Sequence, residues 1–266
     1  MFSGVEMLSS RKIRRAIVLT ACAGLLAASV GAADAALIKV GNLVLKADGG
    51  FVPSALSRYR HEPIDFRGHA NLINTAGGPP TPLEEMRLEF DRDGKLDVRG
   101  LPVCPVGRIA HATVDGARRK CASAIIGTGH VGAIFDLFGV PTQARVRATL
   151  FNGPRKRGNP TIVGHTFTLL PTTRTYVAVI PIKKLKSGPY SYRATFDVPK
   201  LAADGVLTHI DGRIGRRYGL KGEPHSYVSS RCTTGIIRTH GHFLFEDGTI
   251  MDGTLEKPCT PVPLLP

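Results

Sequence analysis

The chain has 266 residues, a formal net charge of +14 at pH 7 and no tryptophan. This length is enough to bury a full hydrophobic core, as one domain or as two small ones. The lack of tryptophan argues against the usual sugar-binding modules, which stack sugars on that side chain. The positive charge favours polyanionic partners such as acidic wall polymers, anionic lipid or nucleic acid, although solubility alone explains such charge equally well.

The first 35 residues have the pattern of a secretory signal peptide. The basic cluster RKIRR (11–15) precedes an uncharged segment, Ala16 to Ala32, and Ala33-Asp34-Ala35 forms a small-residue cleavage site. This order predicts export and cleavage, and therefore a secreted protein or one at the exterior of the cell envelope. An uncleaved membrane anchor and lipid attachment at Cys22 are the alternatives. Cleavage removes four basic and two acidic residues, which leaves a mature chain of charge +12 without a transmembrane segment.

Four cysteines remain in the predicted mature chain: Cys104, Cys121, Cys232 and Cys259. An even number in an exported chain predicts disulfides, and four cysteines allow three connectivities. Pairing between sequence neighbours, Cys104 with Cys121 and Cys232 with Cys259, is the local choice. A zinc site is disfavoured because the chain has no C-x-x-C pair and because an oxidising compartment favours disulfides.

Much of the mature chain alternates apolar and polar residues over short runs separated by Gly, Pro and Asp-Gly turns. This pattern predicts an all-β fold, a mainly antiparallel sandwich or a barrel-like sheet. Residues 36–266 are expected to form one such domain. A weak similarity between residues 88–97 and 243–252 raises the alternative of two packed halves. The predicted strands are LIKVGNLVLK (37–46), MRLEF (86–90), ARVRATLF (144–151), TYVAVIPI (175–182), YSYRATFDV (190–198) and VLTHIDGRI (206–214).

One short α-helix is predicted near residues 113–123. Thr113 can cap its N-terminus, and the basic residues Arg118, Arg119 and Lys120 lie toward its C-terminus, where the helix dipole favours cations. The Gly/Pro cluster at 75–82 is interpreted as a long hairpin connection, because the strand pattern continues on both sides of it.

After the helix, Gly127, Gly129 and Gly132 form the G-x-G-x-x-G pattern of dinucleotide-binding folds. Such a fold also needs a long helix after the glycines and an acidic residue about 20 residues further on. Here Pro141 ends the following segment early, and the segment LFNGPRKRG contains no acid. We therefore predict no dinucleotide and no other cofactor. The glycines are interpreted as sites of close backbone approach or of a bulge between strands.

The sequence contains only weak signals of a catalytic site. His240 and His242 would share one face of a strand and could contribute two metal ligands, with His69, His165 and His209 as further histidines that could converge. A metal-dependent hydrolase built on this pair is the enzyme alternative, while a solvent-facing strand surface is the preferred interpretation. The acidic residues Glu85, Glu89, Asp91 and Asp93 share one strand parity and are also expected to form a solvated face. No catalytic residue is assigned, and a non-catalytic protein is preferred over an enzyme.

Basic residues cluster in predicted turns, where they would form a cationic rim if the turns share one end of the fold. Such a rim could bind phosphate or carboxylate groups. The candidate anion-binding residues are Arg155, Lys156, Arg157, Arg213, Arg216, Arg217 and Lys221, with Lys183, Lys184 and Lys186 nearby. The leading functional prediction is therefore a non-catalytic exported protein that binds an anionic polymer or another cell-envelope component. A purely structural surface protein is the third alternative.

Six sequence blocks resemble the recurring blocks of a family of exported bacterial proteins of unassigned function. These are GLPVCP (100–105), ARRKCASAIIGTGHVGA (117–133), LFNGPRKRGNPT (150–161), YRATFDVP (192–199), SYVSSRC (226–232) and FLFEDGTI (243–250). The resemblance implies an exported, disulfide-bearing, mainly β protein. It implies no activity, cofactor or partner, and it transfers no functional residue to this chain.

Overall fold

Twelve strands of the chain form one antiparallel sheet that curves until its two edge strands meet. The computed structural model describes residues 35–263, so the predicted signal peptide, with Cys22, lies almost wholly outside the described residues. The strands are β1 (Ala36–Val40), β2 (Leu43–Val52), β3 (Ala55–Ser57), β4 (Glu62–Pro63), β5 (Asp65–Asn74), β6 (Leu83–Asp91), β7 (Gly94–Leu96), β8 (Ile125–Leu137), β9 (Val140–Lys156), β10 (Asn159–Thr168), β11 (Arg174–Lys184), β12 (Tyr190–Asp197), β13 (Val206–Ile214), β14 (Arg217–Leu220), β15 (Glu223–Ser226), β16 (Val228–Ser230), β17 (Ile236–Phe245), β18 (Ile250–Pro258) and β19 (Thr260–Val262). The helices are α1 (Val106–Ile109) and α2 (Val114–Lys120).

The large sheet has the strand order β1-β2-β5-β13-β8-β9-β10-β11-β12-β6-β17-β18. All of its neighbouring strands are antiparallel, as the alternating sequence pattern predicts. The prediction of a mainly antiparallel all-β fold is therefore confirmed. The run predicted at 206–214 coincides with β13. The run predicted at 37–46 is divided into β1 and β2 by a turn at Gly41, whose φ is +57°.

The two edge strands, β1 and β18, pack against each other and nearly close the sheet. Gly253 of β18 makes room for this contact, because a Cβ atom there would lie 2.5 Å from Cδ1 of Ile38. Beside the seam, Nζ of Lys257 lies 2.6 Å from Oδ1 of Asp48 in β2. The hydrogen bond from Lys257 lowers the pKa of Asp48 and thereby favours the ion pair across the seam.

Both helices cover the outer face of the sheet at β9 and β10. Oγ1 of Thr113 accepts a hydrogen bond from the backbone N–H of Gly116, as the predicted N-cap requires. α1, a second short helix, was not predicted, and its Ile109 is fully buried against the α2 cluster. The disulfide Cys104–Cys121 joins the segment before α1 to the end of α2. The predicted helix and this local pairing are both confirmed.

Since neighbouring strands are antiparallel, their turns alternate between two ends of the sheet. One end, where β9, β11 and β13 finish, carries the basic turns and is called the basic end below. The small sheet β4-β16-β7 and the fully buried Tyr227 lie at this end, where Tyr227 packs with Leu101. The second disulfide, Cys232–Cys259, also forms as the local pairing predicts.

The long connection at 75–82 is not a hairpin, contrary to the prediction. It leaves β5 and enters β6, and these strands are not neighbours in the sheet. The two similar segments, 88–97 and 243–252, also pair differently. In the first, β7 pairs with β16 rather than with β6, whereas in the second β17 pairs with β18. The described residues belong to one compact unit. Within residues 35–263, no helix is long and apolar enough to cross a membrane.

Candidate functional site

The interior of the curved sheet contains an apolar cavity of about 360 Å³. This volume is in the range of small-molecule binding pockets, roughly 300–1,000 Å³. Its walls come from the inner faces of most strands of the large sheet, and they are almost entirely hydrocarbon. The apolar lining includes Phe66, Met86, Leu88, Phe90, Val131, Ala133, Phe135, Val146, Ala148, Leu150, Ile162, Ala178, Ile180, Ile182, Tyr192, Ala194, Phe196, Ile210 and Ile214.

The cavity follows from strand number and from the size of the inward side chains. About eight strands enclose an interior that side chains just fill, and the interior widens as strands are added. Here twelve strands surround it, while small residues such as Ala148, Gly164 and Ala178 line it. A Cβ atom built on Gly164 would meet nothing closer than Leu150 Cδ2 at 3.8 Å. The chain also has no tryptophan with which to fill the space.

Several side chains that face the interior are only half-buried, although they point away from the outer surface. Leu88, Val131 and Ile180 belong to this group. Side chains in a close-packed core would instead be almost fully inaccessible. The interior therefore has a packed region around Leu45 and Phe245, which are buried, and a more accessible region beside it that forms the cavity.

The end opposite the basic end is crossed by the connection between β12 and β13, which lie on different sides of the nearly closed sheet. Leu201 of this connection lines the cavity. The backbone N–H of Ala202 donates a hydrogen bond to Oη of Tyr176 in β11, with a length of 3.0 Å. This bond holds the connection against the wall of the sheet.

A cationic cleft of about 470 Å³ lies at the basic end, between β7 with the segment that follows it, the turn after β9, and the adjoining ends of β11 and β12. Four exposed cations line it: Lys95, Arg99, Arg155 and Lys184. Its acidic residue is Asp97, which binds Arg99 through Nη2 at 2.6 Å and Nε at 2.9 Å. The Arg99 hydrogen bonds hold the pKa of Asp97 well below its usual range, so this carboxylate is charged.

The predicted basic turns lie at the same end of the sheet, as the anion-binding hypothesis requires, but only part of the predicted set lines the cleft. Arg155 does so, and Lys156 and Arg157 extend from the same turn. Arg213 instead binds Asp65 at 2.6 Å, and Nε of Arg216 is buried. Arg217 and Lys221 lie at the separate β14–β15 hairpin. Sequence reasoning missed Lys95 and Arg99, whose only signal was a pair of cations flanking Asp97.

A second polar group lies on the outer face of the sheet around Asp211. Its Oδ2 accepts a hydrogen bond from Arg145 Nη2 at 2.8 Å and lies 2.9 Å from His209 Nε2, while its Oδ1 lies 3.2 Å from His130 Nδ1. Partial burial opposes ionisation, but hydrogen bonds from His209, His130 and Arg145 outweigh it and lower the pKa of Asp211 to about 2. Asn71 completes the group through His209 Nδ1 at 2.7 Å. The arrangement ties β5, β13, β8 and β9 together.

The histidine pair lies on one outward face of β17, as predicted. His240 Nδ1 lies 3.1 Å from Thr254 Oγ1, and His242 Nδ1 lies 2.8 Å from Asp252 Oδ1. Among residues 35–263, no group of three or more His, Cys, Asp or Glu side chains is placed to hold a metal ion. His165 is buried elsewhere, beneath the helices, with Nε2 at 3.0 Å from the Ala112 carbonyl oxygen.

The predicted solvated acidic face is wrong for Asp93. This residue is only 4 % exposed, and its carboxylate accepts hydrogen bonds from Arg231 Nε, Thr233 Oγ1 and the Thr233 backbone N–H. Charge pairing rather than solvent satisfies it, because the chain turns at Asp93 and folds under residues 231–233. Glu89 likewise pairs with Arg193, through Nε at 2.7 Å.

The three glycines of the G-x-G-x-x-G pattern lie in the continuous strand β8, with no helix after them. A Cβ atom on Gly129 would lie 2.0 Å from the carbonyl oxygen of Asp211, and one on Gly127 would lie 2.2 Å from that of Arg213. Gly132 is opposite His209 at a register shift between β8 and β13. The glycines therefore permit close approach of two backbones, as the sequence interpretation proposed.

Comparison of the chain with protein-family models, with curated proteins and with solved structures finds no match.

Proposed function

We propose that this protein is an exported, non-catalytic binding protein that holds a small apolar molecule inside its curved sheet. The observation that carries the proposal is the cavity of about 360 Å³ with its hydrocarbon walls. An apolar molecule that enters such a space is removed from water at about 25 cal/mol per Å² of apolar surface. Export is part of the proposal because the N-terminal pattern is that of a signal peptide and because disulfides persist in oxidising compartments.

The test is a fluorescence titration of the purified, disulfide-bonded protein with the neutral apolar dye 1-aminoanthracene. We expect saturable binding to the protein and loss of that binding in Gly164→Leu, whose added side chain would project into the cavity. Gly219→Leu is the matched control, because Gly219 is exposed on β14 and a Cβ there meets nothing within 4 Å. Failure of the parent protein to bind the dye saturably, or equal binding by a folded Gly164→Leu protein, would overturn the proposal.

Retention on anionic polymers through the basic end is the second candidate function. It is supported by the cleft cations and by the three basic residues of the β9–β10 turn. Retention on an anionic matrix should fall steeply with salt and should weaken when Arg155, Lys156 and Arg157 are replaced together by alanine. Triple alanine replacement of Arg118, Arg119 and Lys120, exposed on α2, removes equal charge elsewhere. Salt-independent retention, or equal loss in both triple variants, would contradict a site at this end.

A further inference from the structure

The cavity and the cationic cleft share part of their lining. Lys95, Leu96, Ile182 and Tyr192 line both of them. The two spaces are therefore adjacent at the basic end, where the apolar interior gives way to exposed cations. A ligand that fits both must be apolar along most of its length and negatively charged at one end.

Lys184 lies at the boundary between the apolar cavity and the cationic cleft, and the geometry of β11 places it there. Alternate residues of a strand share a face, and Ile180 and Ile182 of β11 line the cavity from its inner face. Lys184 continues this row and lies opposite Tyr192 in the register of β11 and β12. The inner face of β11 thus changes from two isoleucines to an ammonium group at the rim.

Lys95 lies at the same junction of cavity and cleft, but it belongs to a different strand. It is the middle residue of β7, pairs with Ser229 and is exposed. Arg99 is already bound by Asp97, and Arg155 Nη1 donates a hydrogen bond to the Gly158 carbonyl oxygen at 2.9 Å. Lys95 and Lys184 are therefore the two cations best placed to bind a head group at the junction.

We infer that the ligand is a single-chain amphiphile with an acidic head, its hydrocarbon chain in the cavity and its head group at Lys95 and Lys184. This inference rests on the proposed function and adds the ligand class to it. Charge complementarity carries the choice of head group, since an ammonium–carboxylate or ammonium–phosphate hydrogen bond is stronger than one between neutral groups. Most of the cavity wall is hydrocarbon, so a second charged group on the ligand would be buried against apolar surface at a high cost.

Isothermal titration calorimetry with decanoate, 1-decanol and acetate tests the inference. We expect decanoate to bind about tenfold more tightly than 1-decanol, since a charged hydrogen bond contributes about one power of ten in affinity. Acetate should show no saturable binding at the same concentrations. The double variant Lys95→Ala/Lys184→Ala should lose about tenfold in decanoate affinity and keep its affinity for 1-decanol. Lys39→Ala/Lys46→Ala, which removes two exposed lysines from β1 and β2, is the matched control.

The outcomes separate this inference from the proposed function. Equal affinities for decanoate and 1-decanol, or an unchanged decanoate affinity in Lys95→Ala/Lys184→Ala, would overturn the assignment of the head group while the cavity proposal stands. Acetate binding as tight as that of decanoate would overturn the placement of the chain in the cavity. Absence of binding by both ten-carbon ligands would contradict the proposed function itself.

Discussion

Phe66 of β5 and Phe90 of β6 meet edge to face, with ring centroids 5.6 Å apart and ring planes at 86°. Their strands are not neighbours, and by the shorter route around the sheet β2, β1, β18 and β17 lie between them. The contact therefore crosses the interior rather than following the wall. Both rings also line the cavity. This pair therefore joins two walls of the cavity that are not neighbours in the sheet.

Replacement of Phe90 tests this cross-sheet contact. We expect Phe90→Ala to lower the free energy of unfolding by about 2–4 kcal/mol, because it removes a large ring beside an existing cavity that cannot collapse. Urea unfolding followed by circular dichroism measures the change. Phe138→Ala is the control, since Phe138 is fully exposed at the β8–β9 turn and such surface replacements change stability by about 0.5 kcal/mol or less. A Phe90→Ala protein as stable as the control would argue against the contact.

The glycines of β8 are expected to tolerate no side chain. Gly129→Ala places a Cβ 2.0 Å from the Asp211 carbonyl oxygen, so the two backbones must separate, and we expect a loss of about 2–4 kcal/mol or failure to fold. Gly164→Ala is the contrasting variant, because its Cβ would meet Leu150 and Ala178 at ordinary distances of 3.8 and 4.0 Å. It should keep or raise stability, since glycine weakens a strand by about 0.5–1 kcal/mol. Thermal unfolding compares the two, and equal Tm values would refute close approach as the role of Gly129.

Stability should depend on acid pH through Asp211. Its folded-state pKa of about 2 lies below the ordinary value of 3.8, so its contribution is present above pH 4 and is lost as pH falls through about 2. We expect Asp211→Asn to cost about 1–2 kcal/mol at pH 7, and the two unfolding free energies should converge as pH falls from about 5 to 2. Denaturant titrations across this range measure the convergence. Glu246→Gln, exposed beside the β17–β18 turn, is the control. A constant difference between Asp211→Asn and the parent protein would contradict the linkage.

Each disulfide should stabilise the fold through the unfolded chain. The bridges close sequence separations of 17 and 27 residues, and the chain-entropy model assigns about 3 kcal/mol to loops of this size. Paired Cys→Ser replacement at Cys104 and Cys121, or at Cys232 and Cys259, should therefore lower Tm by several degrees in calorimetry. Unchanged Tm values in both paired variants would mean that packing alone holds these segments.

Local features of the chain were predictable because neighbouring residues determine them. The period-two alternation in 206–214 specifies β13, and the hydroxyl of Thr113 caps α2 whatever the helix packs against. Close backbone approach at Gly127 and Gly129 was predicted from the sequence. The strand that approaches them, β13, was not predicted, because it is distant in sequence. The hairpin expected at 75–82 failed for the same reason, because a Gly/Pro-rich connection does not specify which strand receives the next one.

The proposed binding site depends on relationships that no local pattern records. Lys95 and Lys184 are unremarkable cations in the sequence, and they line one cleft only because β7 leaves the sheet and pairs with β16. Asp93 looked solvated by strand parity, yet it is buried because the chain folds Arg231 and Thr233 onto it. Burial and convergence are properties of the packed sheet, and they decide which charged residues are paired and which are exposed.

Six strand runs, the helix capped by Thr113, the local choice of disulfide pairs and the basic turns could be predicted from the residues alone, because side-chain alternation, capping and loop closure act over short distances along the chain. Three further features depend on the folded chain: twelve strands curve until β1 packs against β18, small inward residues leave a cavity, and cations lie beside that cavity. The number of strands that join the sheet sets the width of the interior, and that number depends on pairing between segments far apart in the chain.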